Sequence, residues 1–212
     1  MKNIPVFTTE NGVATLILKE IPYYETAYIL IQDTQSPAEF LAECKDFCRV
    51  VGAEHIYASG HAYLEEFPYH TEIWEMSAQR SSLPDTDAAL FPVTDETLEK
   101  WRVIYNEKMA SVANTSYMTK FDAERMRKEG SGYFVHKENS LLGIGMVNGD
   151  RIDAVASVQR GTGYECMLAL NHALTGEQVN LQVVSTNLPA IRLYEKLGFI
   201  KTKVISKWYK IL

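Results

Sequence analysis

The sequence predicts an α/β fold built as two tandem halves. Aliphatic and β-branched runs at 13–17, 25–32 and 55–59 have strand character. Between them Phe40, Leu41, Cys44, Phe47, Cys48 and Val51 recur at helical spacing. Residues 91–212 read α-α-β-β-β-α-β-α-β. Residues 1–90 echo the later part of that order without its two leading helices, which points to a diverged internal repeat.

The elements follow in order. Asn11-Gly12 and Pro22 punctuate the first two strands. Ser36-Pro37 opens a helix, with Ser36 as the expected cap and Pro37 in the first turn, and Gly52 closes it. A strand at 55–59, a short helix at 62–67 and a strand at 71–78 complete this half. Residues 79–92 hold Ser81-Ser82-Leu83-Pro84-Asp85-Thr86-Asp87, the most linker-like stretch, and place a domain boundary near residue 90. Thr94 is the expected cap of the next helix, with Asp95 and Glu96 at its positive end and Leu98, Trp101 and Tyr105 on its apolar face. A second helix spans 122–128 and stops at Gly130. Strands are expected at 133–136, 141–147 and 151–156, the last two joined by a hairpin at Asn148-Gly149-Asp150. A helix at 163–174, a strand at 179–185, a helix at 188–197 and a strand at about 203–211 end the chain.

At 212 residues the chain has room for one large or two small domains. Its net charge of -6 argues against a nucleic-acid partner, which calls for a basic stripe, and agrees with a cationic or amine substrate. No apolar run approaches the roughly 20 residues that span a bilayer. Met1-Lys2-Asn3-Ile4-Pro5 precedes no apolar segment of signal-peptide type. The expectation is a soluble cytoplasmic protein with no membrane partner. Cys44, Cys48 and Cys166, with His55 nearest to the first two, do not complete a metal-ligand set. They read as buried reduced thiols.

Two short patterns carry chemistry. Arg160-Gly161-Thr162-Gly163-Tyr164 lies between a strand-like and a helix-like run. Such a turn cradles a phosphate on backbone N–H groups, although a lone Gly-x-Gly is also an ordinary strand–helix connection. It lacks the Gly-Lys-Ser/Thr ending of a P-loop. Further on comes Asn187-Leu188-Pro189-Ala190-Ile191-Arg192-Leu193-Tyr194-Glu195-Lys196-Leu197-Gly198-Phe199. Leu193 and Leu197 are four apart and face the core. Tyr194 falls on a neighbouring face, and a phenol with a pKa near 10 is protonated at neutral pH and can act as an acid.

Together the two patterns resemble the acyl-CoA site of the GCN5-related N-acetyltransferase (GNAT) family, and the element order of 91–212 is similar to a GNAT domain. The resemblance implies a GNAT-like mixed, mostly antiparallel central sheet flanked by helices. It implies acetyl-CoA as co-substrate, no metal, and transfer of an acetyl group to an amine of a small-molecule or peptide acceptor. The strand end Val155, Ala156 and Ser157 would pair with the pantetheine arm. Arg160, Gly161, Thr162, Gly163 and Tyr164 would wrap the pyrophosphate. Asn187, with Ala190 at the helix start, would contact the cofactor, and Tyr194 would protonate the departing thiolate. Glu165 departs from the family, which has Gly or Ala there, and sets a carboxylate beside the pyrophosphate. Asp153 is the candidate base, placed by period two on the same face as Arg151 and Val155, while Asp150 lies in the turn. Tyr117, Tyr133 and His136 come from elements that flank the acceptor groove in the family, with Trp101 and Tyr105 reading as core. In residues 1–90 the equivalent turn, Gln32-Asp33-Thr34-Gln35-Ser36-Pro37, has no glycine, so a diverged half without cofactor is expected. The alternative is a catalytically inactive acyl-CoA-binding or interaction module. A homodimer stays open.

Overall fold

The computed structural model describes residues 5–212. The first half runs β1 (Val6–Thr9), β2 (Gly12–Ile17), α1 (Ile21–Tyr24), β3 (Thr26–Thr34), α2 (Pro37–Val50), β4 (His55–Ser59), a 3-10 turn (Ala62–Glu66) and β5 (Tyr69–Gln79). The second runs β6 (Ala89–Pro92), α3 (Leu98–Met109), α4 (Lys120–Lys128), β7 (Gly132–Lys137), β8 (Ser140–Asn148), β9 (Arg151–Ser157), α5 (Gly163–Asn171), β10 (Gln178–Val184), α6 (Leu188–Lys196) and β11 (Ile200–Lys210). The chain forms two compact units. One holds the residues up to Ile73 together with Val204–Leu212, and the other is Trp74–Lys203. Both divisions fall inside strands, β5 and β11, whereas composition points to a boundary near residue 90.

In the first unit β1, β2 and β3 form an antiparallel meander, and α2 carries the chain over to β4, which runs parallel to β3. The end of β11 lies antiparallel to β4 through Tyr209↔Ala58. Leu16, Ile29, Phe40, Ile56, Leu64 and Tyr209 fill the core. Phe40, Leu41, Cys44 and Cys48 supply the buried stripe of α2, as their spacing requires. Burial pushes the Cys44 and Cys48 thiols up to about 12 and about 11, so both stay protonated. Ser36 is not a side-chain cap; instead the Thr34 hydroxyl accepts the Ser36 N–H at 3.1 Å.

In the second unit the strand order is β5-β10-β9-β8-β7-β6. The β6 to β9 neighbours are antiparallel, and α5 links β9 to the parallel β10. The series β1-β2-β3-α2-β4 and β7-β8-β9-α5-β10 therefore share order and pairing sense, which makes the two halves tandem copies of one plan. The 3-10 turn stands where the second copy has α6.

The helix after Thr94 starts later than expected. Thr97 holds the N-cap position of α3, and Thr94 bonds it through its N–H at 2.9 Å. Trp101 and Tyr105 stack at 5.4 Å, and the indole N–H donates to the Tyr133 carbonyl at 3.1 Å, so both belong to the core. Strand β6 lies inside the linker-like stretch, paired with β7 from Ala89↔His136 to Pro92↔Tyr133. Its proline ends an edge strand, where a missing N–H is tolerated. No helix among the described residues is long and apolar enough to cross a membrane.

Candidate active site

The site is set by two neighbouring strands that part. β9 and β10 pair at Asn180↔Arg151 and Leu181↔Ile152, and among the described residues the pairing goes no further. Beyond it β9 continues to Ser157 and β10 to Val184. On its other side β9 stays bonded to β8, with Met146↔Ala154, Gly145↔Val155, Ile144↔Ala156 and Gly143↔Ser157. Val155, Ala156 and Ser157 thus lie where one edge of β9 is open, and an open edge accepts an added extended chain. In the first half β3 and β4 remain paired from Thr26↔His55 to Leu30↔Ser59, across the whole of β4.

A bulge precedes the open edge. Val147 faces Ile152 and Met146 faces Ala154, which leaves Asp153 as the extra residue of β9. The bulge breaks the period-two alternation from Arg151 to Val155 on which the placing of Asp153 with both depends. Ile152, one residue earlier, is the one that packs in the same cluster as Val155, while Ala154 and Ala156 pack with the α3 and α4 residues. Asp153 itself is held by Arg151 Nε at 2.5 Å and by the Asn148 amide.

The open edge runs into the glycine turn. Gly161 has φ +87°, the left-handed region that favours glycine. Thr162 is the N-cap residue of α5 by position, but its hydroxyl is spent on the Leu142 and Gln159 carbonyls at 2.9 and 2.8 Å. Among the described residues nothing accepts the N–H groups of Arg160, Gly161, Gly163, Tyr164 and Glu165. These amides stand at the positive end of α5, ready for an anion. Gly163 also admits α6: a Cβ there would meet Leu193 at 3.1 Å. Lys196 of α6 lies 5.1 Å from the Tyr164 ring centre and adds positive charge.

Glu165 does not sit free beside these amides. Its carboxylate accepts the Thr86 hydroxyl at 2.5 Å and lies 3.7 Å from Lys137 Nζ. Lys137 in turn pairs with Asp87 at 2.7 Å.

On α6 the Asn187 side-chain oxygen Oδ1 caps the helix by accepting the Ala190 N–H at 3.3 Å. Ala190 packs against the cluster that buries Tyr194. Tyr194 is 7% exposed, with Phe199 at 5.9 Å, and shares its cluster with Ile152, Val183, Val155 and Tyr164. No described residue hydrogen-bonds its hydroxyl. Burial pushes the phenol up to about 12, so it holds its proton at neutral pH. Tyr117 accepts a hydrogen bond from Arg102 at 3.2 Å, and His136 packs edge-on against Phe91 at 5.2 Å.

Sequence reasoning missed the bulge and the Thr86 contact. It also passed over Gly143 and Gly145 in β8, where a signal was present. A Cβ on Gly143 would meet the Ala156 carbonyl at 2.5 Å and Cys166 Sγ at 2.6 Å, and one on Gly145 would meet Leu170 at 2.4 Å. Alternate glycines in a strand mark close approach by another element, here α5.

No protein-family model matches the sequence, and no curated protein does. Solved structures do match the fold. A GCN5-related N-acetyltransferase from Sphaerobacter thermophilus aligns over 93% of this chain and 75% of its own, with 11% identity and a TM-score of 0.61. One from Kribbella flavida aligns over 97% and 88%, with 14% identity and a TM-score of 0.59. A tandem GNAT protein of the clavulanic acid biosynthesis pathway aligns over 94% and 78%, with 11% identity and a TM-score of 0.51. The fold is that of the GNAT proteins, in tandem form.

Proposed function

We propose that this chain is an acyl-CoA-dependent N-acetyltransferase, carrying acetyl from acetyl-CoA to an amine of a small-molecule or peptide acceptor. The supporting observation is the open edge of β9 leading directly into a turn with unused amides. The donor set fits the co-substrate. Pantetheine amides would pair with β9 at Val155, Ala156 and Ser157, and the pyrophosphate would take the N–H groups of Arg160 to Glu165.

Chemistry follows from that placement. The amine nitrogen attacks the thioester carbonyl, the C–S bond breaks, and the ammonium proton of the product leaves to water. Strand N–H groups polarise the carbonyl. Tyr194 serves the departing sulfur. Its raised pKa makes it a hydrogen-bond donor to the departing sulfur, and where the sulfur takes the phenol proton, the proton released by the product nitrogen returns through water to the tyrosinate.

A second reading, acyl-CoA binding without turnover, draws on Asp153. The candidate base is already committed to Arg151 and Asn148. Calorimetric titration with acetyl-CoA, followed by turnover on a panel of amines, separates the readings. Micromolar binding is expected in the native protein and in Tyr194→Phe, with turnover lowered about 100-fold in the variant. Binding without turnover of any amine favours the second reading; no binding sinks both.

A further inference from the structure

The inference rests on the acetyl-CoA reading of the α5 turn and concerns the residue at which this chain departs from the family, Glu165. Glutamate in the third position of a helix has a natural occupation. Its carboxylate reaches back, as in a capping box, to the N-cap N–H, here that of Thr162 in the middle of the turn. That position lies among the free amides of Arg160, Gly161, Gly163 and Tyr164 that an anionic ligand needs. An unrestrained Glu165 would therefore be a built-in competitor, its charge set among these amides and repelling the incoming anion.

The structure shows what restrains it. Residues 83–88 run along α5 as a strap. Leu83 and Ala88 are buried at its two ends, and Asp85 reaches His172 at the far end of the helix at 2.9 Å. Between them Thr86 accepts the Ala88 N–H at 3.2 Å, which leaves its own hydroxyl proton to point at Glu165 Oε2, 2.5 Å away. Lys137 approaches the other carboxylate oxygen at 3.7 Å.

We propose that Thr86 is a positioning residue for co-substrate binding: with Lys137 it holds the Glu165 carboxylate off the α5 amides and keeps the pyrophosphate turn open. The strap is thus part of the binding apparatus although it touches no ligand. The half-buried Thr86 does this by one directed donor, so a hydroxyl is required and a methyl will not serve.

The experiment is calorimetric titration of acetyl-CoA into the full chain as a double-mutant cycle. Thr86→Val should weaken binding on the order of fivefold to tenfold, the range expected for a carboxylate competing at a helix start. Thr86→Ser should bind as the native protein does. In the Glu165→Ala background the Thr86→Val loss should vanish, because no side chain remains to fold back. A strap needed merely for stability would lose affinity equally in both backgrounds, and that result overturns the proposal. So does unchanged binding in Thr86→Val. No binding by the native protein would overturn the acetyl-CoA reading, and this inference with it, a result distinct from the other two.

Discussion

At the scale of single residues, the site depends on charges being held in place. Asp85 is the exposed example. Its hydrogen bond from His172 and that from the Thr86 N–H keep its carboxyl below the usual carboxylate range. The folded state thus binds this proton more weakly than the unfolded chain does. The linked stability is fully present above the unfolded value and is lost as pH falls through the folded one. A carbonyl-detected NMR titration should find Asp85 below its ordinary value of 3.8 in the native protein and higher in His172→Ala than in the native protein. An Asp85 that titrates identically in both would remove the clip from solution. The residue scale also shows where the sequence was legible. The glycine turn was legible as a turn: Gly161 is at positive φ and Gly163 begins α5. The restraint of Glu165 was not legible, because Thr86 lies 79 positions away in a stretch that reads as linker.

At the scale of elements, strands and helices declared themselves through period and composition, whereas their caps did not. Ser36 and Thr94 have the right residue type and sit before helices, yet neither caps through its side chain. Thr119 drew no notice and does cap α4, accepting the Asp122 N–H at 3.1 Å. Type is local, but a cap also needs a backbone angle that the preceding turn decides. Thr119→Ala should therefore lower stability by about 1 kcal/mol, while Ser36→Ala should change it by a few tenths at most. Urea unfolding of both variants against the native chain checks this, and equal losses would contradict the cap assignment. The bulge in β9 was illegible for a related reason. The strand reads as an ordinary strand, and the one extra residue at Asp153, next to the last β9–β10 pair, leaves no mark in hydropathy. Strand β6 was hidden by its proline and by its length of four residues.

At the scale of the whole molecule, the halves are tandem in sequence but the compact units are not cut between them. The last residues of the chain, Val204–Leu212, belong to the unit built by the first. Tyr209 is buried in that unit's core, facing Ala58, and Ile211 packs against the same cluster. Ile56 and the C-terminus exchange backbone bonds, Ile56 N–H to the Leu212 carbonyl at 3.2 Å and Ile211 N–H to the Ile56 carbonyl at 2.8 Å. A chain that ends at 203 leaves β4 with one edge bare and the core without a buried aromatic, a loss of about 3 kcal/mol from the side chain alone. The α5 core, by contrast, keeps Met167, Leu170 and Leu181 with their neighbours inside Trp74–Lys203. Hydrogen exchange on the 204–212 deletion should then show amide protection falling by at least about 100-fold in β4 and much less in α5. Equal protection of β4 in the shortened and full chains would mean that the C-terminal segment does not complete the first unit, and the exchange of strand ends between halves would have no energetic content.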